Sequence, residues 1–586
     1  MRQSPFKDVS FSTLREAARV FRPAISGQRR HLWAAIALTL SLTAVKLLQP
    51  WPLKFVLDTV VRRGSEGSFG LSARGTVAAA AVLTVAVAAF HGILNLRLAK
   101  RGAQVARDLT VGIRRQVFEH LHRLAMPFHG GQRTGELLTR IMGDVNLVRD
   151  TLFTLWMRVL EAVLLFVAMA VVMFVIDPVL ALVAFLPLPG IAVALPRSSR
   201  KLKEATRKQR RKQGQAAARA AESLRQIHLV KAYAAEGRAT EEFARDSRAG
   251  ERAGVQAARI AAEMDRVTNI LTGLGLAVVL VVGARRAFVG AVTVGDLVIF
   301  LTYVRRLYRP LATVSEAGVR TGRATAGAER LLEVLREPPE DTSVGLAAPQ
   351  FEGTIQFENV HFTYEGGAHA LNGASFAVPA GAVAVLTGPN GAGKSTVLSL
   401  LLRLVEPTNG EVLIDGEPIQ QFQLSSYRLR FAYVPQQVQL FGATVRENIL
   451  YGRPDANEDQ LREAARIALL DDVVARLPNG YDALLGEGGE TLSGGEARRL
   501  MIARAALRDA RVLLLDEPLA GLDPEAREVV ARAVKQVAAG RTTVVVSHEA
   551  VADFDPDVVL RLEEGRLADR AERPLADMAS HAPPSP

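Results

Sequence analysis

GPNGAGKST occupies residues 388–396, directly after GAVAVLT at 381–387, which reads as a buried strand. The spacing from Gly388 through Gly393 to Lys394 and Ser395 fits a phosphate-binding loop. Gly388, Gly391 and Gly393 let backbone N–H groups converge on phosphate oxygens, with Pro389, Asn390 and Ala392 completing the loop. The following helix, opening with Lys394, Ser395 and Thr396, turns its partly positive N-terminus on the same anion. Lys394 can then reach the β- and γ-phosphates of a nucleotide such as ATP, and Ser395 can ligate Mg2+. RVLLLDEP (511–518) is a second apolar run that ends in two carboxylates. Asp516 is expected to hold Mg2+ through water, and Glu517, pointing elsewhere, to polarise the attacking water. TTVVVSHE (542–549) ends near His548, which is either a γ-phosphate contact or a structural histidine. Tyr364, after IQFENVHFTY, would stack on adenine or sit in a core.

A second feature of this kind follows about a hundred residues later. In LSGGE (492–496), Ser493, Gly494 and Gly495 precede the helical run EARRLMIARAAL, giving another anion-facing helix start. One chain should need only one.

The elements that position these residues fill less than half of the chain. It has 586 residues, and its apolar residues concentrate in the first half, in runs such as TVAAAAVLTVAVAAF (76–90) and LLFVAMAVVMFVI (164–176). A membrane-crossing helix needs about 20 mostly apolar residues. Six candidates lie near 31–57, 74–98, 150–176, 178–199, 264–286 and 295–318, the last weakened by charges. The formal charge is +12, and the Arg and Lys clump at 15–30, 97–123 and 197–213, beside the apolar runs. That distribution suits the positive-inside rule and a lipid bilayer rather than nucleic acid. It puts the N-terminus, residues 99–149, residues 200–263 and the second half on the cytoplasmic side, with Arg285 and Arg286 as exceptions. The two long cytoplasmic stretches have a helix-forming composition, so the membrane helices should extend well beyond the bilayer. Pro50, Pro52, Pro187 and Pro189 mark expected kinks. Lys46, His91 and Glu161 fall within or near spans and either face cargo or pair between helices. Cysteine is absent, which excludes disulfides and thiolate metal sites. The basic, polar start carries no short apolar core, so no cleavable signal peptide is expected.

Together the second-half motifs resemble the nucleotide-binding domain of ABC transporters. LSGGE resembles that family's signature, usually LSGGQ; PQQVQLF (435–441) resembles its Q-loop, with Gln436 as the key residue; AGLD (520–523) resembles its D-loop. TGELLTRIMGDV (134–145), IHLVKAYAAE (227–236) and AGAERLLEVL (326–335) look like parts of the exporter-type (type IV) membrane domain. The fold this implies is a multi-domain membrane protein, with an all-α six-helix transmembrane domain (1–335), a linker (336–350) and an α/β P-loop ATPase domain (351–586) whose tail is disordered from about 573. By resemblance, Glu517, His548 and Gln436 are catalytic, and Ser395, Gln436 and Asp516 serve the metal. The signature closes on ATP bound to the other subunit, so each chain carries half of each of two sites. Short coupling helices are expected near 112–124 and 222–234. Departures from the family pattern are Glu496 in the signature, Ala520-Gly521 in the D-loop, and ALLGEGG (483–489) where a TEVGERG-like segment is usual. None removes a group that does chemistry, which favours a homodimer.

The function this implies is Mg-dependent ATP hydrolysis driving export of a small amphipathic, lipidic or drug-like compound across a bacterial inner membrane. The alternatives are one half of a heterodimer with a second half-transporter, or an ATP-dependent membrane receptor that moves no cargo.

Overall fold

The computed structural model describes residues 11–61, 72–132, 134–307, 309–364, 367, 369–486, 491–548 and 551–572. Residues 487–489 of ALLGEGG and the tail from 573 lie outside the described residues. The chain forms two compact units, residues 1–123 with 132–338, and residues 124–131 with 339–586.

Among the described residues of the first unit every regular element is a helix, and the helices make six passes joined by turns. Four of them, Arg29–Val61, Arg74–Arg123, Thr134–Ile176 and Glu236–Phe288, are long and apolar enough to cross a membrane. The other two fall short of that measure. The fourth begins as Pro178–Phe185 and resumes as Leu188–Arg225, interrupted where Pro187 cannot donate a helical hydrogen bond. The sixth is described as Val294–Leu307 and Arg309–Arg336, residue 308 lying outside the described residues, and Asp296, Arg305 and Arg306 dilute its apolar stretch. The first pass is likewise interrupted, between Leu48 and Trp51, at Pro50.

Length confirms that the helices outrun a bilayer. Ala73–Arg123 has 51 residues and Glu236–Phe288 has 53. At about 1.5 Å per residue each approaches 80 Å, against about 30 Å of hydrocarbon. Leu188–Arg225 packs along Glu236–Phe288, where Gly250 and Gly254 allow Gln213 and Gln209 to lie close. Arg219 ties the pair through Glu242 at 3.0 Å and Asp246 at 3.1 Å.

The exceptional outer charge has a partner. Asp177, 3% exposed, caps the helix Pro178–Phe185 by accepting from the Leu180 N–H at 2.8 Å. Its other oxygen accepts from Arg286 Nε at 2.8 Å. Arg286 therefore neutralises a buried carboxylate at the turn between the third and fourth passes, while Arg285 is exposed.

One expectation needs correction. Residues 112–123 do not form a short coupling helix, because they continue the long helix without a break. The short helix is Met126–Gly131, which belongs to the second unit. Near 222–234 a short helix does form, Ile227–Ala232, set off by a turn at Gln226 and by Ala234 in the left-handed region.

The second unit has two sheets. β1 (Ile355–Thr363), β2 (His369–Val378), β4 (Asn409–Ile414) and β5 (Glu417–Pro418) form an antiparallel sheet ordered β2-β1-β4-β5. The other sheet is ordered β10-β9-β3-β8-β7-β6, from β3 (Val383–Thr387), β6 (Phe431–Val434), β7 (Val512–Asp516), β8 (Thr542–Val546), β9 (Val558–Glu563) and β10 (Arg566–Glu572). All of its neighbours are parallel except β9 and β10. The apolar runs VLLL of β7 and VVV of β8 suit strands covered on both faces, and both strands are buried along their whole length. Within 339–350, which belongs to the second unit, Leu346 donates to the Gln421 carbonyl at 2.8 Å and accepts from Gln423 N–H at 2.7 Å.

Candidate active site

Register brings the chemistry together. Val546 of β8 stands beside Leu386 of β3 on one side and Asp516 of β7 on the other. The residues that follow these strands, from Gly388, Glu517 and His548, therefore leave the same sheet edge side by side. Carboxyl ends of parallel strands are where α/β sheets bind ligands.

The loop after β3 leads into helix α1 (Lys394–Leu401). Gly393 has φ +98°, and a Cβ there would stand 2.3 Å from the Ala370 carbonyl oxygen; Gly388 has φ +140°, with Leu562 O at 2.1 Å from such a Cβ. Only glycine fits both positions, and the loop backbone is left open to an anion. Lys394 is 5% exposed, and its ammonium donates to the carbonyls of Gly388 at 2.9 Å and Pro389 at 2.8 Å. Burial lowers its pKa, opposed by the nearby carboxylates of Glu517 and Asp516. The Ser395 hydroxyl donates to Asp516 Oδ1 at 3.3 Å. Burial holds the Asp516 carboxyl above its ordinary range, against the Ser395 hydrogen bond. A buried carboxylate and a hydroxyl facing each other beside a phosphate loop are the oxygen donors that Mg2+ takes together with substrate phosphates. Among the described residues no cluster of three His, Asp or Glu could hold a metal by itself. The donors present fit ATP and Mg2+.

Glu517 turns sharply out of β7, in the left-handed region at φ +45°, with its N–H bonded to Val546 O at 2.9 Å. Such a conformation costs on the order of 1 kcal/mol for a non-glycine residue and persists only when the surroundings fix it. Arg498 does so, donating to the Glu517 carbonyl at 2.7 Å and the Ala520 carbonyl at 2.6 Å. One Glu517 carboxylate oxygen accepts from Gln436 Nε2 at 2.6 Å, and the other lies 2.8 Å from His548 Nε2. The structure thus joins Gln436, Glu517 and His548 directly. Gln436, also expected at the metal, meets Glu517 rather than the Ser395–Asp516 pair. Tyr364 is not a core residue: it is 44% exposed, lies edge-on to Phe362, and its hydroxyl is 3.1 Å from Thr396 Oγ1.

Ser493, Gly494 and Gly495 stand apart from this group. Helix α2 (Gly494–Arg508) begins in a capping box, with Glu496 N–H bonded to Ser493 Oγ at 3.3 Å and Ser493 N–H to Glu496 Oε2 at 2.8 Å. Glu496 therefore fills the role a glutamine would. Burial raises its pKa, but the Ser493 N–H, the Arg476 guanidinium and the Ser493 hydroxyl outweigh that and hold it below the usual range. Gly495 lets α2 approach Ala526 of helix α3 (Pro524–Ala538), where a Cβ would meet another at 2.9 Å. The α2 residues join a different hydrophobic core from the α1 residues, so the two phosphate-facing helix starts belong to different subdomains.

Arg498 and Arg504 escaped the sequence reading. Arg504 donates to Gln439 O and Asn448 O, each at 2.9 Å, and stacks over Phe441 and Tyr451, fixing the segment just beyond Gln436. Nothing in EARRLMIARAAL separates these arginines from a solvated helix face.

Comparison with known proteins agrees with this architecture. Residues 32–311 match the ABC transporter transmembrane region and residues 371–520 the ABC transporter family model. This chain belongs to the ABC transporter family. It is a half-transporter of exporter-type fold, a multi-pass membrane protein with its ATP-binding domain in the same chain. An ATP-dependent lipid A-core flippase of Chromohalobacter salexigens is 32% identical, over 79% of this chain and 80% of its own. An ATM1-type heavy metal exporter of Novosphingobium aromaticivorans is 33% identical, over 92% and 89%. The solved structure of a bacterial Atm1-family ABC exporter with ATP bound superposes with a TM-score of 0.77 at 30% identity, covering 95% of this chain and 99% of that one.

Proposed function

We propose that this ABC half-transporter works as a homodimer that hydrolyses Mg-ATP to export an amphipathic, lipidic or drug-like compound across a bacterial inner membrane. The observation that carries the reading is the Glu517 carboxylate held between Gln436 and His548, beside Lys394, Ser395 and Asp516. Lys394 and the loop N–H groups bind the phosphate chain of ATP. Ser395 and Asp516 would hold Mg2+, which when bound neutralises developing charge on the phosphates. Glu517 orients and polarises the attacking water, Gln436 fixes the carboxylate from one side, and His548 stands at the γ-phosphate. Tyr364, exposed beside Thr396, would stack on adenine. The separate signature subdomain, with Ser493 and two glycines at its helix start, completes the site of a second copy. A bound nucleotide then joins the two chains, and hydrolysis releases them.

Transport into sealed vesicles by the chain expressed alone tests this. Mg-ATP turnover with movement of an amphiphile supports the homodimeric exporter. Turnover without movement of any amphiphile points to a receptor, and ATP binding without turnover points to a missing partner chain.

A further inference from the structure

Helix α2, which carries the second phosphate-facing start, grips the catalytic residues of the first site. Arg498, Met501, Arg504 and Arg508 follow one another at steps of three and four residues, so they share one face of α2. Arg498 holds the turn after β7, donating to the carbonyls of Glu517 at 2.7 Å and Ala520 at 2.6 Å. Met501 Sδ accepts from the Gln439 N–H at 3.4 Å, and Arg504 donates to the Gln439 carbonyl at 2.9 Å. Gln439 lies three residues beyond Gln436, whose amide meets the Glu517 carboxylate at 2.6 Å. Arg508 fixes the far end of the helix on the Gly452 carbonyl at 2.9 Å. One helix therefore reaches Glu517 from two sides, its main chain directly and its carboxylate through the Gln436 segment.

Arg498 is the stiffest of these links. Its two terminal nitrogens fork onto two carbonyls, and a charged donor makes stronger bonds than a neutral one. The guanidinium is half-buried, and burial lowers its pKa against the Glu517 carboxylate, but arginine keeps its charge. The residue it clamps is the one held in the left-handed region at φ +45°, a conformation that lasts only while its surroundings fix it. The start of α2 is tied to the same turn. A Cβ on Gly494 would stand 3.7 Å from Leu522 and one on Gly495 2.9 Å from Ala526, so both glycines lie against the chain that leaves Glu517. Ser493 and Arg498 are separated by about 7.5 Å of helix rise. A shift imposed at Ser493 therefore reaches Arg498 through little more than one rigid turn.

We propose that Arg498 is a positioning residue that couples the two ATP sites of a dimer. A nucleotide engaged at Ser493–Gly495 moves α2, and Arg498 carries that shift to Glu517 of the same chain, which acts on the other nucleotide. The inference rests on the reading that the signature completes the site of a second copy.

The test is hydrogen exchange of full chains in nanodiscs, read at residues 493–495 and 517–521. An isotope-labelled chain carrying Lys394→Ala lacks the phosphate contact of its own site, and alone it should not respond to ATP. Mixed with excess wild-type chain and ATP without Mg2+, its residues 493–495 should become protected by the nucleotide that the wild-type copy holds. Its residues 517–521 should then change exchange rate at least about threefold. Adding Arg498→Met to the labelled chain should keep the first response and abolish the second, and Arg498→Lys should restore part of it. In unmixed chains with Mg-ATP, Arg498→Met should lower kcat at least about tenfold while ATP affinity stays within about twofold, a split that general unfolding would not give. Protection at 493–495 with no change at 517–521 overturns the proposal, as does a change at 517–521 that survives Arg498→Met. No protection at 493–495 in the mixture refutes the two-copy site and the coupling with it. Faster exchange of 517–521 in nucleotide-free Arg498→Met would in that case leave only the clamp on Glu517 standing.

Discussion

Replacing Glu517 by Gln removes the charge at the site's centre with almost no change of shape. In the native site both carboxylate oxygens are used, one by Gln436 at 2.6 Å and one facing His548 at 2.8 Å. An amide keeps one acceptor oxygen and turns the other atom into a donor, so either Gln436 or His548 must rotate or change tautomer. The backbone turn at φ +45° and its clamp by Arg498 use only main-chain atoms of residue 517, so they survive. Folding should therefore change by about 1 kcal/mol at most, the value of one neutral hydrogen bond. Turnover should change far more. A positioned base contributes roughly 10²- to 10⁴-fold, equivalent to about 3–5 kcal/mol of barrier. Lys394 and the phosphate loop are untouched, so ATP binding should persist. The assay is Mg-ATP turnover of the reconstituted chain beside a fluorescent-nucleotide titration of the same preparation. Turnover within threefold of wild type would refute the role given to Glu517. Loss of nucleotide binding along with turnover would refute the separation of binding from chemistry.

Three further outcomes follow from the same geometry. Gly393→Ala should weaken ATP binding at least about tenfold, since a Cβ would lie 2.3 Å from a backbone oxygen at φ +98°, and a nucleotide titration measures it. Ser395→Ala removes the hydroxyl facing Asp516, so half-maximal turnover should need a higher Mg2+ concentration, with chelation abolishing turnover in both chains; an unchanged Mg2+ titration would remove Ser395 from the metal site. Glu496 has a lowered pKa, so its contribution to stability is full above the unfolded value and is lost as pH falls through the folded one. Thermal unfolding of Glu496→Gln should accordingly lose part of the acid sensitivity seen in wild type in the window between those two values.

Much of the ATPase unit was legible because its chemistry constrains backbone type at short range. Gly388, Gly393, Lys394 and Ser395 lie within one loop and turn, so spacing alone ties them to one anion. Asp516, Glu517 and His548 were legible because each follows an apolar run that could only be a buried strand. Arg498 and Arg504 were not, since they act on carbonyls that come near through tertiary packing, and a helix full of arginine looks the same whether those groups are free or clamped. The membrane unit shows the limit from the other side. Prolines at 50 and 187 announced interruptions correctly, because a missing N–H is a local fact. The short helix expected near 112–124 does not form, because 112–123 continue the long helix and only packing decides where that helix stops; a separate short helix follows at Met126–Gly131.

Sequence position also hid the meaning of the membrane charges. Read singly, Lys46 and Glu161 are two expensive residues, and pairing makes them ordinary. Arg158, Arg306 and Arg309 lie at or beyond the ends of apolar windows, where an arginine normally reaches for water and needs no explanation. In the structure Arg158 of the third pass and Arg306 and Arg309 of the sixth line one cavity with the Lys46–Glu161 pair, a grouping that their sequence positions do not show because it is made by packing.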